Sequence, residues 1–382
     1  MVRRDNSRNE KKNTGKNDSR NRNKNDYKKQ NSLKERYKEN PKDKPKGNPK
    51  GNIKDNSRGN SKEAKVETIS YGVSADDWHM PVSVSVETEA QLRAVMDIKS
   101  VSRIYVDEAC FGIPEIGSDI AGTVSKGSNE EREAEAFAEI FRSIRASGKE
   151  CGLRLRRIER ETDPYLNSRE LLENLVKLGA APDAVLIRSF DEAMLLGESE
   201  PSESGNKGLN TIKKIFDYTC YGYNTEAVSM LLDLGAEGLT YPIELTGREC
   251  MGLRKSLKEN ESDERLSTVP YEVLVYGHLP MMVSANCIQR TSDRCDHRNR
   301  ILRLRDRMQK DMPVRCYCKY CYNQIFNAEP LVLYDLEGDI RALDPESVRY
   351  DFSIESENEV RKILSGEVPG AMTRGHFRHG IE

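Results

Sequence analysis

An α/β fold of the (β/α)8, TIM-type barrel class is what this 382-residue sequence predicts. From about residue 67, short β-rich runs alternate with amphipathic stretches of helical period, the pattern of a largely parallel sheet. Seven strand candidates precede a cysteine-rich window and an eighth follows it. An open doubly wound sheet is the alternative, but no G-x-G-x-x-G loop and no Walker-type lysine loop follows any strand, so nucleotide cofactors have no sequence support.

In chain order, strand Val82–Val86 leads through helix Glu89–Ile98 to strand Ser102–Asp107, and the amphipathic stretch Glu130–Ser147 leads to strand Gly152–Arg157. Helix Ser168–Leu178, strand Ala184–Ser189, a short helix Glu192–Leu196 and strand Ile212–Tyr218 follow. Then come helix Thr225–Leu234, strand Gly238–Tyr241, helix Gly247–Leu257 and strand Tyr271–Val275. Past the cysteines, strand Val348–Ser353 and helix Glu357–Leu364 complete the ring. Gly197–Asn210, rich in Ser, Gly, Glu and Pro, and the acidic Glu259–Pro270 read as surface loops. In such a barrel, functional groups sit where strands end. The expected division is a tail over 1–66, a barrel body over 67–285, a cysteine-rich segment over 286–330, and a strand and helix over 331–382 that complete the barrel.

Residues 1–66 differ in kind from the rest. They carry 22 Lys and Arg against 9 Asp and Glu, a net of +13, while the remainder carries −15, so the overall −2 conceals a strong asymmetry. With almost no apolar residues the tail cannot bury enough area to offset its ordering entropy, and it is expected to be disordered. Polybasic segments bind polyanions by releasing counterions, but interspersed acids and only two aromatics, Tyr27 and Tyr37, fit a solvated extension better. No apolar segment follows Arg3 and Arg4, and no run of about 18 apolar residues occurs, so a soluble, cytoplasmic protein without a membrane partner is expected.

Five of the nine cysteines, Cys287, Cys295, Cys316, Cys318 and Cys321, fall within a short window, whereas Cys110, Cys151, Cys220 and Cys250 are scattered and read as inert. An odd number of cysteines without a secretory signal argues for thiol or metal chemistry rather than a disulfide framework. The spacing Cys287-x7-Cys295-x22-Cys318-x2-Cys321 offers four thiolates, a donor set that suits tetrahedral zinc or an iron–sulfur cluster. Zinc ribbons usually pair two Cys-x-x-Cys knuckles, and the spread first pair favours iron–sulfur, with zinc as the alternative. Arg290, Arg294, Arg298, Arg315 and Lys319 are placed to compensate a thiolate-rich anion.

The run Tyr276-Gly277-His278-Leu279-Pro280-Met281-Met282-Val283-Ser284 into Cys287 combines with Cys295-Asp296-His297, with Pro313-Val314 before Cys318, and with Cys321-Tyr322-Asn323-Gln324-Ile325-Phe326-Asn327. Together with Thr373-Arg374-Gly375-His376-Phe377, this combination resembles the U32 (collagenase-like) peptidase family over roughly residues 80–382, specifically the C-terminal repeat of its long members. The resemblance implies a barrel with a [4Fe–4S] cluster on Cys287, Cys295, Cys318 and Cys321, and Cys316 falls outside that set. Relatives of this kind take part in hydroxylating bases of tRNA or rRNA, or the ubiquinone ring, and some tRNA-directed members depend on prephenate. The peptidase name comes from collagen degradation attributed to other members. The basic tail stands where long members carry an N-terminal repeat, so a partner protein supplying that half is a further expectation.

His278 follows the seventh strand, where a barrel presents functional groups, and is the catalytic candidate as a proton donor; hydrogen bonding to backbone is its plain alternative. His297 is a substitute ligand candidate, and His376 and His379 lie in a terminal segment expected to pack back onto the barrel. Arg341, Arg349 and Arg374, with Arg298, Arg300, Arg303, Arg305 and Arg307, are candidates for phosphate contact, although the alternation at 301–307 better suits an exposed strand. Tyr317, Tyr320 and Tyr322 can stack a base, but packing explains them more simply. There is no His-Glu-x-x-His and no Gly-x-Ser-x-Gly. The leading expectation is therefore an iron–sulfur protein supporting hydroxylation of an RNA base, with a collagenase-like peptidase and a non-catalytic partner-binding subunit as alternatives.

Overall fold

Alternation along each strand decides the architecture, because a strand shows successive side chains to opposite faces. The computed structural model describes residues 70–112, 129–160, 167–196 and 206–380; the tail 1–66 and most of the predicted loop 197–210 lie outside the described residues. In V-S-V-S-V, strand β1 (Val82–Val86) turns its valines toward the surrounding helices and its serines into a closed ring. The ring continues through β2 (Val101–Asp107), β3 (Glu150–Arg154), β4 (Ala184–Ile187), β5 (Lys213–Phe216), β6 (Gly238–Thr240) and β7 (Tyr271–Gly277). After β8 (Pro280–Ser284), β9 (Arg300–Arg305), β10 (Asp311–Tyr317), β11 (Tyr322–Phe326) and β12 (Leu331–Val332), strand β13 (Ser347–Asp351) closes it. All eight ring pairings are parallel, from β1 with β2 round to β6 with β7, β7 with β13 and β13 with β1. The predicted TIM-type barrel is the fold, and its strands match the predicted ones to within a few residues at either end.

Most of the helices carry the chain from one ring strand toward the start of the next. The helices are α1 (Glu89–Met96), α2 (Asn129–Ala146), α3 (Ser168–Lys177), α4 (Phe190–Leu195), α5 (Thr225–Asp233), α6 (Gly247–Lys258), α7 (Glu264–Thr268), α8 (Ile288–Thr291), α9 (Glu337–Arg341) and α10 (Glu357–Leu364). Five of them start on a reciprocal cap in which a Ser, Thr or Asn and a Glu or Gln three residues on satisfy one another's backbone amides. This fixes where α1, α3, α4, α6 and α10 begin and leaves short turns at the strand ends. The main core lies between ring and helices, where Val84, Ile104, Leu153, Val185, Phe216, Val273 and Val348 pack outward against residues such as Phe137, Phe141, Leu172 and Val360.

Inside the ring, Tyr105, Ala184, Leu186 and Ile215 form a small apolar cluster. Tyr105 fits there because its neighbour across the ladder is Gly152; a Cβ at that position would overlap the ring. Gly152→Ala is expected to cost about 1–3 kcal/mol by overpacking. Urea unfolding measures the loss, and adding Tyr105→Leu should recover part of it.

The segment between β7 and β13 is an insertion with its own antiparallel sheet, in the order β8-β11-β10-β9. It begins at Pro280, so the strand-bearing part starts ahead of the expected boundary at 286. Among the described residues, no helix is long and apolar enough to cross a membrane.

Candidate functional site

The C-terminal ends of the ring strands carry a buried ionic lattice. Arg349, fully buried on β13, reaches across the ring with Nη2 2.6 Å from Asp217, Nη1 2.6 Å from Glu272 and Nε 2.9 Å from Asp351. Arg154 at the end of β3 holds Asp107 at 2.8 Å, pairs with Glu87, and donates to Ser85 Oγ at 2.9 Å. Arg188 approaches Asp107 at 3.4 Å from the far side. Burial pushes Asp107 and Asp351 up, but Arg154 with Arg188, and Arg349 with Arg154, pull them below the ordinary carboxylate value. Arg349 therefore does not contact phosphates as the sequence suggested; it is the counter-ion of the barrel interior. Arg374 and Arg341 are likewise engaged internally, with Asp335 and the Val332 carbonyl, and with Glu337 and the Trp78 carbonyl.

Two carboxyls behave oppositely. Burial raises Glu108 to about 7 and Glu192 to about 8, with Arg156 and Arg188 offsetting only part of the rise. A carboxyl whose folded pKa exceeds its unfolded value holds its proton longer in the native state, so its favourable contribution is complete below the unfolded value near 4.5 and is lost as pH climbs toward 8. Glu192 accepts from the Arg188 amide at 2.6 Å, and glutamine keeps that acceptor. Glu192→Gln is accordingly expected to flatten the fall in stability between about pH 5 and about pH 8, read from urea midpoints across the range.

The insertion seals this mouth. Arg315 on β10 ion-pairs with Glu87 at 2.7 Å and donates to the carbonyls of Ser353 and Glu87, both at 2.9 Å. The Tyr317 hydroxyl sits 3.0 Å from both Glu87 oxygens, and its ring stacks on Tyr322 at 4.7 Å. Lys319, in the turn of the hairpin, donates to the carbonyls of Glu108 at 3.0 Å and Phe111 at 3.2 Å and pairs with Glu133. Tyr317, Tyr320 and Tyr322 are thus packing residues. At the mouth there remains a cavity of about 20 Å³ beside Glu87, Arg154, Asp217 and Asp351, room for about one water. A cavity of about 220 Å³ lies at the opposite, N-terminal end of the ring, beside Arg103, Glu150 and Lys213, away from the end where such barrels carry function.

The same hairpin gathers the cysteines. Cys316 lies on β10, Cys318 and Cys321 flank the turn, with Cys321 in the left-handed region at φ 52°, and Cys287 caps α8. Burial raises the Cys318 thiol to about 12, and Cys316, Cys287, Cys295 and Cys321 all stand close enough to add to that rise. Burial also raises Cys316, against a hydrogen bond from Gln289, with Cys287 and Cys295 adding to the rise. The predicted set therefore occupies one neighbourhood. Among the described residues, however, no three His, Cys, Asp or Glu side chains stand in a ligating arrangement. Gln289 is buried beside the thiols, with Nε2 3.7 Å from Cys318 Sγ and 3.2 Å from the Arg298 carbonyl, and its Oε1 has no hydrogen-bond partner. As a donor set, soft sulfurs in this number, with Arg290, Arg294 and Arg298 nearby in sequence, fit a thiolate-bound metal. His297 is exposed. Elsewhere Cys151 bonds Asp183 and Cys220 the Ile187 carbonyl, and burial raises both, which does not favour a thiolate nucleophile.

His278 follows β7 directly and borders the mouth cavity on one side and a cleft of about 700 Å³ on the other. Its Nδ1 lies 2.9 Å from the Asn327 carbonyl, which only accepts, so Nδ1 carries the proton. Nε2 then faces Glu355 Oε1 at 3.8 Å. Glu355 accepts from the Tyr276 hydroxyl at 2.9 Å and from the Ser353 and Ile354 amides at 2.7 and 3.0 Å; burial raises it, and His278 pulls it back. Sequence reasoning missed Glu355, although its place just past the eighth strand was a signal for it.

No family model and no curated protein matches this chain. Among solved structures it is similar to an uncharacterized Bacillus cereus protein, at 10% identity over 75% of this chain and 64% of that one, with a TM-score of 0.35. It is also similar to the spore cortex-lytic enzyme SleL of Bacillus cereus, at 8% identity over 77% and 75% of the two chains, TM-score 0.32. The Bacillus megaterium QM B1551 SleL matches at 11% identity over 77% and 75%, TM-score 0.33. This chain spans less than two thirds of the first of these, and likeness at this depth carries neither activity nor substrate across.

Proposed function

We propose that the insertion holds a [4Fe–4S] cluster on Cys287, Cys295, Cys318 and Cys321, and that the chain is a U32-type protein supporting hydroxylation of an RNA base in tRNA or rRNA. The observation that carries the proposal is that Gln289, two residues past Cys287, reaches the Cys318 sulfur at 3.7 Å, which brings the helix start and the hairpin turn together at the thiols. Thiolates brought this near repel one another, and a shared cation relieves that repulsion. When bound, such a centre supplies one-electron transfer. Around it the chain's own residues supply positive charge, a buried amide at Gln289 that approaches Cys318, and the Lys319 and Arg315 anchors that fix the hairpin on the barrel.

An RNA partner is supported by charge. Residues 278–328 contain ten Lys and Arg against four Asp, a net of +6, on a body that is otherwise strongly acidic. The arginines of β9 lie on an edge strand exposed along almost its whole length.

Anaerobically purified protein is expected to be brown, to contain about four irons per chain and to give a cluster signal by electron paramagnetic resonance. Colourless protein with one zinc would put the alternative metal in its place. For the RNA part, nucleosides of total tRNA and rRNA from cells with and without the gene are compared; unchanged nucleosides would remove it.

A further inference from the structure

We propose that the cleft between the insertion sheet and α10 binds a small organic anion, its negative group at Arg303 and a hydroxyl that donates to the free Nε2 of the His278 imidazole. With the barrel mouth sealed by Arg315, Tyr317 and Lys319, a cleft of about 700 Å³ opens beside His278 among the described residues, a size typical of small-molecule sites. Its walls mix aliphatic side chains, Ile301 and Pro313 from the insertion and Ile354 and Ile363 from the far side, with charged and polar ones.

The polar groups of the lining narrow the ligand, because most of them are already spent. Asp311 is held by both arms of Arg305, at 2.6 and 2.9 Å. Glu359 closes the cap of α10 by accepting from the Ser356 amide and hydroxyl, both at 2.7 Å. Lys362 pairs with Glu367 at 3.0 Å. Two groups remain unspent. Arg303 approaches Asp311 only at 4.0 Å, with its side chain 79% exposed on the rim. His278 is pinned through Nδ1 by the Asn327 carbonyl, and its Nε2 stands 3.8 Å from Glu355, beyond hydrogen-bond range. Three donors occupy Glu355, so a ligand hydroxyl at Nε2 meets a fixed imidazole acceptor whose hydrogen bond is otherwise unmade. A guanidinium at the rim, aliphatic side chains along the cleft and an imidazole acceptor describe an anion with a hydroxyl at its far end.

The site does not rest on the metal or RNA proposal; it stands or falls separately, because its test reads ligand binding and not iron. A volume of 700 Å³ has a span of about 9 Å, close to that of a six-carbon chain. The full chain, with carbon-13-labelled histidine, is titrated with 6-hydroxyhexanoate, hexanoate and 1,6-hexanediol while the His278 ring signal is followed by NMR. The complete probe is expected to shift that signal and to bind about tenfold tighter than either truncated one. Arg303→Ala, a change at an exposed side chain that leaves the core untouched, should bring 6-hydroxyhexanoate down to the affinity of the diol. Equal binding of all three probes, an unaltered affinity in Arg303→Ala, or no shift of His278 up to about 50 mM probe would each overturn the proposal.

Discussion

Arg349→Met is expected to destabilise the barrel by about 3–5 kcal/mol, the cost of stranding buried charge. Its guanidinium is fully buried and lies within 2.9 Å of three carboxylates that come from β7, from β13 itself and from the end of β5, so no neighbour can turn away to solvent. Methionine fills much of the volume but leaves Asp217, Glu272 and Asp351 facing one another. Urea unfolding at neutral pH measures the loss, and a change below about 1 kcal/mol would mean that Arg349 is not the counter-ion that holds the barrel interior together. Arg349→Lys keeps the charge but not the fork, and is expected to fall between the two proteins. Acid should act on the same lattice: Asp107 and Asp351 have depressed folded pKa values, so their contribution is present above the unfolded value near 3.8 and disappears as pH falls through the lower folded one.

Cys318→Ser is expected to abolish most metal binding, leaving less than about one iron per chain, whereas Cys316→Ser should retain the colour. Cys318 stands among all four other thiols, while Cys316 is buried on β10 and outside the expected ligand set. Iron analysis and electron paramagnetic resonance of anaerobic samples separate the two variants. Loss of iron in Cys316→Ser with retention in Cys318→Ser would reassign the ligands. Because the barrel anchors lie on Arg315, Tyr317 and Lys319, neither serine removes a contact that docks the hairpin.

The ring was legible because its strands obey simple periods and its helices announce their starts. Thr88 with Gln91, Ser189 with Glu192 and Ser356 with Glu359 are local signatures that need no tertiary context. Of the insertion sheet only β9 was legible: the alternation at 301–307 suits an exposed strand, and R-I-L-R-L-R is a strand exposed along almost its whole length. Strand β10 carries Pro313 while lying between two neighbours, a position where proline argues against a strand. Arg349 was misassigned for a related reason. In S-V-R-Y-D, the arginine and the aspartate two residues on share the inward face, a charge pair at strand spacing that signals an interior counter-ion, whereas an arginine viewed alone suggests the surface. The cysteines were readable from spacing, but the cleft beside His278 was not, since it is made by segments far apart in sequence.

Placing the insertion ahead of β13 has a consequence for how the chain assembles. Ser85 must find Asp351, 266 residues downstream, before the ring exists, and the whole sheet of the insertion has been synthesised by then. Entropy makes such a distant pairing late and slow. The seam between the first and last strands is therefore the expected rate-limiting step of folding, and until it forms, the exposed edge of β1 is the point at which nascent chains are most prone to associate with one another.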